Sequence, residues 1–228
     1  MTDQESSPAA RQPAAGEQSP AAGEQSIATW LDALGSAAPA PGGGAAAAMS
    51  VATAAALVEM VGNLTVGRSA YAAHEAQVTA VRDTARRLRQ RAQEQIDEDA
   101  LAFRTLMAAY RRPRDTDQQR TERQTAVQAA TRRAAAVPLD VAATAAEVIQ
   151  LADELPGRSN PNVLSDVGVA AATAAAAIEA AAINVDVNLA TLTDAEVRTE
   201  LTAQLAGYLT VAVRGRELAG RVRRDVAG

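Results

Sequence analysis

Pro41-Gly42-Gly43-Gly44 runs straight into Ala45, Ala46, Ala47, Ala48 and Met49. Three successive glycines reach backbone conformations barred to other residues and let the chain pass close to a neighbour or a ligand. The alanines that follow are the strongest helix formers, so a helix starts here. Its first N–H groups lack partners within the helix, and the positive end of its dipole faces outward. Either this is a tight turn leading into a buried helix, or it is a seat for an anionic group. Residues 33–58 carry no charge, which places that helix at the centre of the fold.

The rest of the composition agrees. Hydrophobic residues make up 48% of the 228-residue chain but aromatics only 2%, so alanine, valine and leucine must build the core. Runs of β-branched or aromatic residues that would favour strands are sparse, and the expectation is an all-α bundle of closely approaching helices. A net charge of -5 argues against a general nucleic-acid binder. Without cysteine there is no disulfide, thiolate nucleophile or cysteine zinc site, and one histidine rules out a histidine-rich metal centre. No basic segment followed by an apolar one opens the chain. The uncharged run after the glycines, residues 45–58, is short for a bilayer span. A cytoplasmic protein with no membrane partner is expected.

Residues 1–25 hold Pro, Ala, Gly, Gln, Glu and Ser, and Pro13 to Ser19 recurs as Pro20 to Ser26. Such a segment buries too little to offset its ordering entropy, and a disordered tail is expected ahead of one helical domain at 26–228. Ile27, Trp30, Leu31 and Leu34 fall at helical spacing and predict a short first helix ending near Gly35. The second helix is expected over about 44–66, interrupted only by Glu59 and Asn63, four apart on one face. A long charged helix follows over about 69–110, with Val78, Val81, Leu88, Ile96, Phe103 and Leu106 as its buried stripe. Thr116 and Gln119 form a candidate capping box for a helix to Val137, and Pro138 is placed to start another, ending near Leu155 before Pro156-Gly157. Ser165 or Asp166 caps an alanine-rich helix to about Leu189, with Asn184 and Asn188 on one edge. Thr193 with Glu196 is a second capping-box candidate, for a last helix over about 194–224. The two apolar helices, 44–66 and the one ending at Leu189, should lie side by side beneath the amphipathic ones.

Six segments, in order, carry a resemblance: Pro41-Gly42-Gly43-Gly44; Met60-Val61-Gly62-Asn63-Leu64-Thr65-Val66-Gly67-Arg68; Asp97-Glu98-Asp99-Ala100-Leu101-Ala102-Phe103; Val137-Pro138-Leu139; Ser159-Asn160-Pro161-Asn162 with Ser165-Asp166; and Asn184-Val185-Asp186-Val187-Asn188-Leu189. Over about residues 26–210 the chain resembles the cyclodeaminase/cyclohydrolase family, which includes the C-terminal domain of formiminotransferase-cyclodeaminase and free-standing methenyltetrahydrofolate cyclohydrolases. The resemblance implies an all-α, homodimeric bundle acting on one-carbon units that bridge N5 and N10 of tetrahydrofolate. The reaction is either closure of 5-formiminotetrahydrofolate to 5,10-methenyltetrahydrofolate with release of ammonia, or hydrolysis of the methenyl form to 10-formyltetrahydrofolate. Neither requires a metal or redox cofactor, and the folate carries one or several glutamates.

Both reactions need a proton carrier and groups that position the pterin and the glutamate tail. Asp99, matching the family's D-x-x-A-F segment, is the first catalytic candidate; its alternative is a solvated carboxylate on a charged helix. Asp166, the second, is equally placed to cap a helix. Asn63, Asn160, Asn184 and Asn188 are candidate substrate contacts, or members of an interhelical polar network. Arg68 suits a glutamate carboxylate, or the C-terminal end of its own helix, and Gly42, Gly43 and Gly44 could bind the same tail through N–H groups. Arg111, Arg112, Arg114 and Arg120 flank a turn, and His74 reads as a surface residue. The chain departs from the family pattern at Ala45, where a serine usually follows the glycines, and at Ala182, where a tyrosine commonly stands. Both losses favour an alternative function: a non-catalytic folate-binding or assembly module on the same fold.

Overall fold

The computed structural model of the protein describes residue 21 and residues 25–228; the tail expected at 1–25 lies almost wholly outside the described residues. Among the described residues six α-helices follow in order: α1 (Ile27–Leu34), α2 (Gly43–Asn63), α3 (Glu75–Tyr110), α4 (Asp117–Asp153), α5 (Leu164–Leu189) and α6 (Ala195–Ala227). Short 3-10 turns, Ser69–His74 and Pro161–Val163, precede α3 and α5. Among the described residues there is no strand, so the all-α expectation holds.

The five long helices alternate in direction. The start of α2 lies against Asp99 of α3 and its end against Arg82. Glu98 of α3 pairs with Arg133 of α4, while Gln77 near the start of α3 meets Glu154 just past the end of α4. Asn188 near the end of α5 reaches Ala134 of α4, and Gly168 near its start lies under Val222 of α6. The main core is built mostly from alanine and valine of α2 and α5, including Ala45, Val51, Val58, Ala170, Ala174 and Ile178. Each methyl-sized group buried contributes only about 0.8 kcal/mol, so this core depends on many close helix contacts. Gly215 shows how close they come: a Cβ there would sit 2.8 Å from Ile149 Cδ1 and 3.1 Å from Ala171 O.

Helix ends follow local chemistry, with three departures from expectation. Gly35 ends α1, and Thr116 with Gln119 forms the capping box of α4 as read from the sequence. The first departure is α4, which does not break at Pro138 but runs unbroken from Asp117 to Asp153. Proline removes the N–H that would reach Ala134 O, four residues back. The Asn188 side chain supplies the missing donor, Nδ2 to Ala134 O at 3.0 Å. Buried Val137 and Leu139 hold both sides of the proline in the core. Second, α5 is entered through the 3-10 turn capped by Asn160, whose Oδ1 accepts from Asn162 N, and not through Ser165 or Asp166. Third, Asp194 caps α6 by accepting from Glu196 N and Val197 N, while Thr193 bonds Gln128.

The apolar helices α2 and α5 are neighbours but are not fully covered. Val169, Ile183 and Val187 of α5 are 52%, 67% and 65% exposed. By length and hydropathy alone Gly43–Asn63, Asp117–Asp153 and Pro161–Leu189 could each cross a membrane. This corrects the expectation of a run too short to span, which counted only the uncharged residues 45–58; Glu59, within the helix, pairs with Arg86 and Arg89 of α3 at 2.8 and 2.9 Å. More than half of each apolar window is packed inside the bundle.

Candidate active site

The glycine triplet opens α2 against two polar side chains. Asp99 of α3 lies beneath the helix start, with Oδ2 accepting from Ala45 N at 3.1 Å. A Cβ added to Gly44 would lie 2.1 Å from Asp99 Oδ1, a separation no side chain tolerates. Gly44 is therefore glycine so that Asp99 can enter. At Gly43 the facing group is Asn184 of α5, whose amide would be 3.5 Å from a Cβ there, an ordinary contact. Gly42 is the N-cap residue of α2 and makes no side-chain cap.

Burial pushes the Asp99 carboxyl above its ordinary range, and the Ala45 N–H holds it down only in part. Asp99 thus keeps its proton to higher pH than a solvated carboxylate, the direction that suits a group exchanging protons near neutrality. The helix start is occupied by this carboxylate, so the Ala45 N–H is committed to the protein's own anion. Ala45 fills the core with its methyl group and serves the site through its backbone. That role is invisible to a reading based on side chains.

The two asparagines of α5 are partly spent on structure. Asn184 Nδ2 donates to Ala180 O at 2.9 Å, and its amide oxygen remains beside Gly43. Asn188 Nδ2 is shared between Asn184 O at 2.8 Å and Ala134 O at 3.0 Å. The position of Ala182 is turned away from this place: it packs with Ala135, Leu139 and Val185 in the second core cluster.

The remaining candidates gather elsewhere. Asn160 is buried and ties the 3-10 turn to the end of α2: its N–H donates to Thr65 Oγ1 at 3.0 Å and its Nδ2 to Leu64 O at 3.3 Å. Tyr71 OH donates to Asn160 Oδ1 at 3.3 Å. Asn63 and Arg68 are exposed at this same end, and Asp166 is half-buried in the first turn of α5. Along α2, Gly44 and Asn63 are about 28 Å apart at 1.5 Å per residue. Within one chain the candidates therefore form two groups: Gly42 to Gly44, Asp99, Asn184 and Asn188 at one end of α2, and Asn63, Arg68, Asn160 and Asp166 at the other.

Beside Asp99, on the outer side of α3, Glu98 is held by Arg91 at 2.6 Å and by Arg133 at 3.3 Å. Burial raises the carboxyl of nearby Asp140, opposed by Arg133 and Arg91. Glu98 lies within the Asp97–Phe103 segment, but no sequence motif singled out Arg91, Arg133 or Asp140. Glu59 is also accounted for within the protein: burial acts to raise its carboxyl, but hydrogen bonds from Arg86 and Arg89 outweigh that and hold it below the usual range. Among the described residues no group of three His, Cys, Asp or Glu side chains is placed to hold a metal ion.

An antiparallel all-α bundle whose central helix opens on glycines, with an aspartate lodged beneath its first turn, is the class that fold and site define. The profile of the family described as formiminotransferase-cyclodeaminase matches residues 26–207, and the chain belongs to that family. It is 42% identical over 184 residues to a methenyltetrahydrofolate cyclohydrolase of Methylorubrum extorquens, covering 81% of this chain and 88% of that protein. It is 32% identical to the formimidoyltransferase-cyclodeaminase of Sus scrofa over 81% of this chain, but spans only 34% of that longer protein. The crystal structure of a formiminotetrahydrofolate cyclodeaminase from Thermotoga maritima superposes with a TM-score of 0.81, covering 90% of this chain and 99% of that one at 24% identity, which bears on the fold alone.

Proposed function

We propose that this chain is a folate one-carbon enzyme that hydrolyses 5,10-methenyltetrahydrofolate to 10-formyltetrahydrofolate. The observation that carries the reading is the desolvated Asp99 carboxylate beneath the glycine-opened start of α2. The 42% identity to a methenyltetrahydrofolate cyclohydrolase over most of both chains supports hydrolysis ahead of cyclodeamination.

In this reading water adds to the bridging carbon of the N5–C–N10 cation while Asp99 accepts a water proton. Asp99 returns that proton to N5 as the N5–C bond breaks, the remaining hydroxyl proton is lost to solvent as the C=O forms, and the formyl group stays on N10. A negative carboxylate beside the bridge also favours the bound cation electrostatically. In this reading Asn184, whose amide lies beside Gly43, accepts from a ring N–H through its amide oxygen. No metal or redox cofactor enters these steps. The protein is read as a cytoplasmic homodimer that meets its substrate in solution, with one or several glutamates on the folate and without a membrane or nucleic-acid partner.

The test is turnover by purified protein given 5,10-methenyltetrahydrofolate and, separately, 5-formiminotetrahydrofolate. Loss of the methenyl absorbance faster than a protein-free blank is expected. Appearance of that absorbance from the formimino substrate, with ammonia, would assign cyclodeamination instead. No change with either, in folded protein, would leave the non-catalytic folate-binding or assembly module as the better account.

A further inference from the structure

Two of the chain's five aromatic residues follow closely on Asp99, and the core uses neither. Phe103, expected in the buried stripe of α3, is only half-buried and belongs to none of the three core clusters. Tyr110 is 39% exposed. At 3.6 residues per turn both stand within about 40° of Asp99 round α3. Helix α2 begins beside Asp99 and runs back along α3 towards Arg82, so it leaves this face uncovered beyond Asp99.

We propose that the folate lies lengthwise along this face, with its aminobenzoyl ring against Phe103 and a glutamate carboxylate on Arg123. The inference rests on the folate reading above and deepens it by naming two residues that set substrate specificity.

Arg123 of α4 is held ready for an anion. Its Nε donates to Tyr110 O at 3.1 Å, and its guanidinium carbon lies 5.7 Å from the centre of the Tyr110 ring. It forms no ion pair with any described residue. A guanidinium fixed through Nε keeps two terminal nitrogens for a carboxylate. The local charge agrees: residues 104–123 hold six arginines against three acidic residues, in a chain of net charge -5. Arg104, Arg111, Arg112 and Arg114 likewise form no ion pair with described residues, and they raise the potential around Arg123.

The lengths match. From Asp99 to Tyr110 is about 16 Å along α3. Covalent dimensions place the glutamate carboxylates of a folate about 10–13 Å from the carbon bridging N5 and N10. A hydrogen bond from the terminal nitrogens of Arg123 covers the remainder. With the bridging carbon at Asp99, the pterin falls on the side of Asn184 and Gly43, and the glutamate at the basic turn between α3 and α4.

The glutamate itself is the probe. Purified protein is given 5,10-methenyltetrahydrofolate and, separately, 5,10-methenyltetrahydropteroate, which lacks only the glutamate. Wild type should favour the folate at least about tenfold in kcat/KM, the effect of a charge-assisted bidentate pair. Arg123→Ala should lose that preference while its kcat/KM for the pteroate stays within about twofold of wild type. Arg123→Lys, with the charge but not the fork, should keep part of it. Phe103→Ala should raise KM for both substrates about tenfold with kcat little changed, and Phe103→Tyr should restore it.

A wild type that does not discriminate, or an Arg123→Ala variant that keeps the full preference, would overturn the glutamate subsite. A loss equal for both substrates would show a structural role for Arg123 and overturn it as well. Unaltered KM in Phe103→Ala would overturn the seat of the ring. None of these results touches the hydrolysis reading. Wild type inert towards both substrates would refute the proposed function instead. Equilibrium binding of 5-formyltetrahydrofolate and its pteroate counterpart would then decide the subsite, and equal affinities, or no binding, would overturn it.

Discussion

At the scale of single residues the site turns on what is missing from Gly44. A Cβ there meets Asp99 Oδ1 at 2.1 Å and Oδ2 at 3.0 Å, whereas one on Gly43 meets the Asn184 amide at 3.5 Å. The two neighbouring glycines therefore differ in kind. Gly44→Ala must expel the Asp99 carboxylate, and the expected result is a loss of turnover of at least about 100-fold, matching removal of a general acid or base. Gly43→Ala needs no displacement and should stay within about tenfold of wild type. Equal effects from both would show that helix propensity, not room for Asp99, explains the triplet. The sequence pointed to both glycines and to Asp99, but not to their contact. Residues 44 and 99 are far apart along the chain, and glycine carries no side chain whose pattern would betray a partner.

At the scale of helices, the pairing of Pro138 with Asn188 joins two motifs that look independent in sequence. Pro138 deprives Ala134 O of its helical donor, and Asn188 of α5 replaces it. Leaving a buried carbonyl without a partner costs about 1–3 kcal/mol. Asn188→Ala should therefore destabilise the protein by about that amount in chemical unfolding. In a Pro138→Ala background, where the backbone N–H is restored, the same substitution should cost at least about 1 kcal/mol less. Additive effects would mean that the bond contributes nothing net. This element also marks the limit of what could be read from the chain. A proline reads as a helix start because its ring and missing N–H stop most helices. Only the donor arriving from α5, with Val137 and Leu139 anchored in the core, lets α4 continue. The motif 63–68 and the motif 159–162 were likewise legible as motifs, yet their hydrogen bonds through Thr65 and Asn160 tie two chain segments together far from Asp99.

At the scale of the molecule, helix type and order were readable because alanine-rich, aromatic-poor sequence leaves few alternatives, and the periodic stripe of α3 is buried at Val78, Val81, Leu88, Ile96 and Leu106. The assembly of the site was not, since six motifs in order say nothing about which ends of an antiparallel bundle they occupy. The bundle places the desolvated carboxylate of Asp99 beneath the first turn of α2, and the proposed chemistry depends on what that carboxylate does. The most direct test is kcat of Asp99→Asn at saturating 5,10-methenyltetrahydrofolate, with substrate affinity measured alongside. The account predicts kcat at least about 100-fold below wild type with the methenyl substrate still bound. A variant that turns over near the wild-type rate would contradict it.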